Sequence, residues 1–140
     1  MSDWLRRRTS RTDDAGAAVI DFVMMSILLI FLLFAVLQVA IFFYARNVAA
    51  SSAADAARYA ASQGVDVHEG ALRAETLIRK GLDDADASAI TCTSRPGRDD
   101  SSGLAVTTVH CRGRIRVLFS PLKMPLTIDV TSSVLKENQP

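Results

Sequence analysis

Residues 22–45 read FVMMSILLIFLLFAVLQVAIFFYA, a run without a single Asp, Glu, Lys or Arg. Only Ser26 and Gln38 interrupt its apolar character. As a helix rising about 1.5 Å per residue, the run is roughly 35 Å long, enough to cross a hydrocarbon core of about 30 Å. Apolar residues cover every face, which excludes an amphipathic surface helix. A buried core helix of this length would be unusual in a chain of 140 residues. A cleavable secretory signal is the other competitor, since basic residues precede the run and Ala49 and Ala50 follow it. Its apolar region is normally about 7–15 residues, however, and this one is longer. The run reads as a transmembrane helix.

The flanks set its direction. Arg6, Arg7, Arg8 and Arg11 lie before the span, whereas Arg46 and Arg58 are the only basic residues in the twenty positions after it. By the positive-inside rule the N-terminus is cytoplasmic and the C-terminal part lies outside. Cys92 and Cys111 fall in that outer part, where an oxidising compartment permits a disulfide.

Bulk composition narrows the function classes. At 49% hydrophobic, 22% charged and net +1, the chain is too apolar and too neutral for a disordered protein. It also lacks the basic excess of a nucleic-acid binder. The leader through Gly16 carries four Arg against Asp3, Asp13 and Asp14, which accounts for the whole formal net charge. The mean hydropathy of +0.21 comes from one uncharged segment.

The expected organisation is α+β in four parts. Residues 1–16 form a cytoplasmic leader, mobile over 1–15, and 17–45 form the transmembrane helix. Residues 46–63 extend that helix, because Arg46 to Gln63 contains no Gly or Pro and is dominated by Ala, the best helix former. Ala45, Ala49, Ala53, Ala57 and Ala61 repeat every four residues and lay a ridge of small side chains along one face. Such a ridge admits another helix or a sheet at close range; the competing explanation is high Ala usage alone. Gly64 suits a helix C-terminal cap.

Residues 64–140 form the extracytoplasmic domain. His68 to Leu82 reads as a short second helix, with Ala71, Ala74, Ile78 and Leu82 on one face and Leu72 and Leu77 nearby. Gly81 and the acidic run Asp83, Asp84 and Asp86 end it as a solvated exit. The period then changes to two. Ala105, Thr107, Val109, Cys111, Gly113, Ile115, Val117 and Phe119 alternate with Thr108, His110, Arg112, Arg114 and Arg116, giving a half-buried strand with a basic outer stripe. Ala89 to Thr93 reads as a strand before it, and RPGRDDSSG (95–103) as a hairpin loop. Pro121 and Pro125 bracket a connection to a third strand around Leu126 to Val134. A three-stranded antiparallel meander results.

In that register Cys92 opposes Cys111 and the turn centres on Ser101 and Ser102. A metal site from Cys92, His110, Cys111 and His68 is the alternative. Its spacing matches no zinc pattern, and His110 and Cys111 point to opposite sides of a strand. A disulfide closing a loop of about 20 residues stabilises by roughly 3 kcal/mol in an unstrained geometry.

No arrangement supports catalysis or a cofactor. There are two His, no HExxH, no phosphate-binding glycine loop and no convergent Ser/His/Asp set. The acidic run lacks calcium-loop spacing. The stripe of Arg112, Arg114 and Arg116 is either a solvated strand face or a surface for an acidic partner or anionic headgroups.

Asp21 is costly at the edge of an apolar span unless it snorkels or is paired. A cut between Gly16 and Ala17 would create an α-amino group four residues before it, a neighbouring position on a helix. An interfacial Asp acting as a helix start signal is the other reading.

These features together resemble the N-terminal module of TadE-like pseudopilins of the tight-adherence (type IVc, Flp) pilus system. The resemblance rests on Gly16-Ala17-Ala18, Asp21-Phe22, the apolar span, Tyr44-Arg46-Asn47 and Ala57-Arg58-Tyr59-Ala60-Ala61, and covers about residues 11–63. It implies cleavage by a prepilin peptidase after Gly16, so that Asp21 becomes the fifth mature residue. It also implies a role as minor subunit beside other pilin-like subunits, a platform membrane protein and a secretion ATPase. The family usually carries Glu at the fifth position, where this chain has the shorter Asp21. The rival function is a permanently anchored single-pass protein whose outer domain binds a partner or envelope component.

Overall fold

A computed structural model describes the backbone of residues 3–116 and 126–136, with side chains from residue 16 onward. Its elements run α1 (Asp3–Ala61), α2 (Glu69–Gly81), α3 (Asp84–Ser88), β1 (Ile90–Arg98), β2 (Ala105–Ile115) and β3 (Leu126–Leu135). The chain divides into two compact units, residues 1–37 and 38–140.

In the first unit the backbone is helical from Asp3, through the expected leader. Residues 3–15 contain neither Gly nor Pro, so nothing in them stops a helix. Further along, Phe22, Leu28, Leu29 and Leu33 are each more than 60% exposed. A row of large apolar side chains facing outward on all sides requires an apolar surrounding. This is one helix long and apolar enough to cross a membrane.

The second unit is built on the ridge of alanines. Ala45, Ala49, Ala53, Ala57 and Ala61 are all buried, together with Ala56 and Ala60. Their burial means the helix backbone itself lies close to its neighbours, as a small-residue ridge allows. Glycines on α2 meet it: a Cβ at Gly81 would stand 2.6 Å from Val48 Cγ1, and one at Gly70 would stand 2.9 Å from Ala60 Cβ. The helix ends at Ala61, and Gly64 adopts φ 79°, the left-handed conformation that lets the chain turn away.

Helix α2 turns Ala74 and Ile78 into the core, with Ala71 and Leu82 half-buried beside them. Leu72 instead lies 67% exposed on the opposite side. The acidic run does more than end α2. Asp83 is the N-cap of α3 and its carboxylate accepts the Asp86 amide hydrogen at 3.0 Å. An acid capping the N-terminus of the next helix is the ordinary use of Asp at that place.

The sheet has the order β1-β2-β3, antiparallel throughout. Cys92 opposes Cys111, as the alternation required, and the two are joined by a disulfide. Thr107, Val109, Cys111 and Ile115 of β2 face the core with Ile90 and Cys92 of β1 and Ile128 and Val130 of β3. Ala105, expected inside, is exposed at the strand end, and Gly113 is half-buried. Val117, Phe119, Pro121 and Pro125 lie outside the described residues.

β1 runs on to Arg98, five residues beyond its expected end, straight through Pro96. A proline survives in an edge strand when its missing N–H lies on the unpaired side. That is its situation. The Cys92 amide points away from β2, and Pro96, four residues on, shares that orientation.

Gly113 faces the tightest approach in the sheet. A Cβ there would lie 2.6 Å from Ile90 Cα and closer still to the Ala89 carbonyl oxygen, both parts of the backbone. Gly113→Ala should therefore destabilise the outer unit by about 1–3 kcal/mol, as overpacking does. Gly97→Ala, whose new Cβ meets only Val106 Cγ2 at 3.4 Å, should be nearly neutral. Chemical denaturation of the detergent-solubilised variants compares the two.

Candidate functional site

The residues singled out from the sequence fall into two groups. Gly16, Ala17 and Asp21 lie on α1 in the first unit, and all three are exposed. Asp21 has no ion pair among the described residues. Ala17 and Asp21 are four residues apart on a continuous helix, so their side chains occupy neighbouring positions on one face.

Gly16 is informative by contrast with the other glycines inside helices and turns; only Gly97, in strand β1, is as lightly constrained. Gly64 and Gly103 have positive φ, and Gly70, Gly81 and Gly113 stand where a Cβ would collide with a neighbour. Gly16 has neither property: a Cβ there meets nothing within 4 Å among the described residues. Glycine inside a helix costs about 0.8–1.0 kcal/mol relative to Ala. Nothing in the described fold calls for that cost at position 16.

The second group belongs to the outer unit. Cys92 and Cys111 form the disulfide on the inner face of the sheet, both buried. The Cys92 amide, on the unpaired side of β1, donates to Glu75 Oε1 of α2 at 3.2 Å. Glu75 thereby ties the helix to the strand that carries the disulfide. No motif in the sequence announced this contact. His110 lies on the opposite sheet face from Cys111, with Nε2 2.8 Å from Asp129 Oδ1. The alternative set of Cys92, His110, Cys111 and His68 is therefore not assembled, because both thiols are already joined to each other.

The arginine stripe finds acidic partners within its own chain. Arg112 lies 3.9 Å from Asp129, and Arg116 lies 4.0 Å from Asp83 and 3.7 Å from Asp86. The Arg116 amide also donates to Asp86 Oδ1 at 3.2 Å. Arg114 has no ion pair among the described residues. Asp86 is half-buried, while the pairs to Asp129 and Asp83 are well exposed, so each of those contributes little to stability. They leave the stripe less charged than its sequence suggests.

Two tyrosines from the motif region hold α2 at its ends. Tyr44 donates its hydroxyl to the Gly81 carbonyl at 3.0 Å, and Tyr59 donates to Glu69 Oε2 at 3.2 Å. Arg73 lies 5.5 Å from the centre of the Tyr59 ring and forms a 3.4 Å ion pair with Asp55. Arg46, Asn47 and Arg58, their companions in the motif, are exposed and make none of these contacts.

At the hairpin turn the Ser101 hydroxyl, then the Ser102 hydroxyl and amide, donate to Asp99 and hold its carboxyl below the usual carboxylate range. The group closes a turn and has no reacting partner beside it.

The family model described as TadE-like protein matches residues 16–58. The match begins at Gly16 and takes in Asp21, the uncharged span, Tyr44 and the alanine ridge from Ala45 to Ala57. No curated protein and no solved structure matches the chain.

Two outcomes check the outer unit. Without reductant, alkylation should add no mass to either cysteine, and the Cys92→Ser/Cys111→Ser pair should lose about 3 kcal/mol of stability. The Asp99 turn should be fully held above the ordinary Asp range and released as pH falls through its depressed value. The Ser102 amide resonance reports that step.

Proposed function

We propose, from the TadE-like segment at residues 16–58, that this chain is a minor pilin-like subunit of a tight-adherence pilus or related secretion filament. It acts by assembly and performs no catalysis. The observation that carries the reading is Gly16: a helical glycine with no packing or backbone reason to be glycine, directly before Ala17 and five residues before Asp21. A glycine inside a helix carries a cost that its own fold does not offset here, and an outside reader, a prepilin peptidase, accounts for it. A helical residue with no side chain leaves the backbone accessible to such an enzyme.

Hydrolysis after Gly16 releases the leader with its four arginines and leaves the Ala17 amine at the new helix start. Asp21 sits one turn further on, where a carboxylate is favoured both by that amine and by the helix N-terminus. The pair would offset part of the cost of a charge at the edge of an apolar span. With the leader in the cytoplasm and the sheet outside, the apolar helix stays in the membrane until assembly. There it meets other pilin-like subunits, the platform membrane protein and the secretion ATPase.

The mature N-terminus tests this. Sequencing should return a start at Ala17. An intact Met1, recovered only in the membrane fraction, would sink the reading in favour of a permanent anchor with a partner-binding outer domain. A start near Ser51 would identify a signal peptide. Gly16→Ala should leave the helix intact, or stabilise it by up to about 1 kcal/mol, while uncut precursor accumulates. Normal piliation with uncut precursor would contradict the mechanism.

A further inference from the structure

The two outer edges of the sheet are treated differently. On β1 the unpaired side offers the amides of Ile90, Cys92, Ser94 and Arg98, with Pro96 interrupting the row. Glu75 accepts from Cys92, and Arg95 and Arg98 add charge. These are devices that stop a sheet edge from pairing with another chain. β3 is far less protected. Its ten residues, LTIDVTSSVL, contain no proline, no lysine and a single charge, Asp129. That charge is engaged by His110 and Arg112.

The register identifies which β3 groups are unpaired. Lys136 donates to Ala105 and opposes it in continuation of the β2–β3 ladder, so even-numbered residues of β3 turn their amides toward β2. The amides and carbonyls of Thr127, Asp129, Thr131, Ser133 and Leu135 therefore point to the open side, where none has a backbone partner among the described residues. This is a five-residue ladder with its centre at Thr131.

We propose that β3 pairs antiparallel with β3 of a second copy of this chain, about a two-fold axis through Thr131. In that register Thr131 faces Thr131, Asp129 faces Ser133, and Thr127 faces Leu135. All five outward residues of each copy find a partner. Sliding the strands by two residues leaves Leu135 unpaired in one direction and Thr127 in the other, and sliding them by one turns the core-facing set of one copy to the outer face of the other. The side chains agree with the two-fold. On the core face Ile128 meets Val134 and Val130 meets Ser132, which extends the apolar surface. On the outer face each Asp129 is opposed by a hydroxyl, and the two carboxylates never face one another. A strand whose sole charge avoids its own image is suited to its own copy as partner. The result is a continuous six-stranded sheet with β1 at each end. The pairing uses only the outer unit and stands independently of the pilus reading.

Variants of the full chain with one cysteine added and the Cys92–Cys111 disulfide kept, oxidised mildly in the membrane, test the axis. Thr131→Cys should cross-link to itself and run at twice the 15.1 kDa monomer mass under non-reducing conditions. Asp129→Cys and Ser133→Cys should each stay monomeric alone and form the dimer when co-expressed. Thr131→Pro, with the central donor removed, should lose the dimer that chemical cross-linking detects in the unaltered chain. A Thr131→Cys chain that stays monomeric overturns the proposal, whether another protein or another part of the chain covers the edge. Equal cross-linking at all three positions also overturns it, because that marks non-specific contact. Leader cleavage is read from the same samples by N-terminal sequencing, so failure of the pairing and failure of the pilus reading are separable.

Discussion

The outer unit depends on how little side-chain volume α1 carries between Ala45 and Ala61. A helix presenting alanine at every fourth position lets α2 approach until the absence of a side chain becomes necessary at Gly70, against Ala60, and at Gly81, against Val48 beside the ridge. The core cluster is correspondingly poor in large residues. Ile78, Ile128 and Val109 are its bulkiest fully buried apolar members. Each alanine buries little area, so stability must come from close contact along the ridge and from cross-links. The disulfide, the two tyrosine hydroxyls and Glu75 supply those links.

Polar contacts are distributed to match. Most charged pairs lie on exposed surfaces, where they orient more than they stabilise. Hydrogen bonds between elements instead recruit backbone groups that secondary structure leaves open: the Gly81 carbonyl at the end of α2, the Cys92 amide on the sheet edge, and the Arg116 amide just past β2. Each such bond satisfies a group that would otherwise rely on water. In the first unit no comparable network is needed, because a helix meets its own backbone requirement and its apolar surface faces a matching solvent.

Much of this was legible from residue order. The uncharged span, the alternation through β2 and the pairing of Cys92 with Cys111 follow from one-dimensional periods that tertiary structure has no reason to disturb. The elements missed are those where one residue type serves two ends. Asp83 to Asp86 reads as an exit from α2, yet the same acids cap α3, and a helix of five residues has too few turns to show a period. Arg95-Pro96-Gly97 carries the composition of a turn. It is a strand because its unpaired side faces outward, a fact no local window contains. Leu72 fits the apolar pattern of α2 and still faces outward, since the narrow alanine ridge engages only a thin stripe of that helix. Among candidate functional residues, Gly16 stood out only as part of a motif. Its lack of any structural reason to be glycine became visible once the other helical glycines, Gly70 and Gly81, had theirs.

The tyrosine contacts impose a limit on length. Tyr44 and Tyr59 are 15 positions apart, about 22 Å along a helix, and they grip the last and first residues of α2, which spans 13 residues. They act as a ruler laid beside that helix. One residue inserted into or deleted from α2 rotates everything beyond it by about 100°, so one anchor or the other must let go. The turn at 99–104 meets no such gauge. Relatives of this domain are therefore free to vary in hairpin length, but the distance between the two aromatic grips and the length of the helix they hold must change together or not at all.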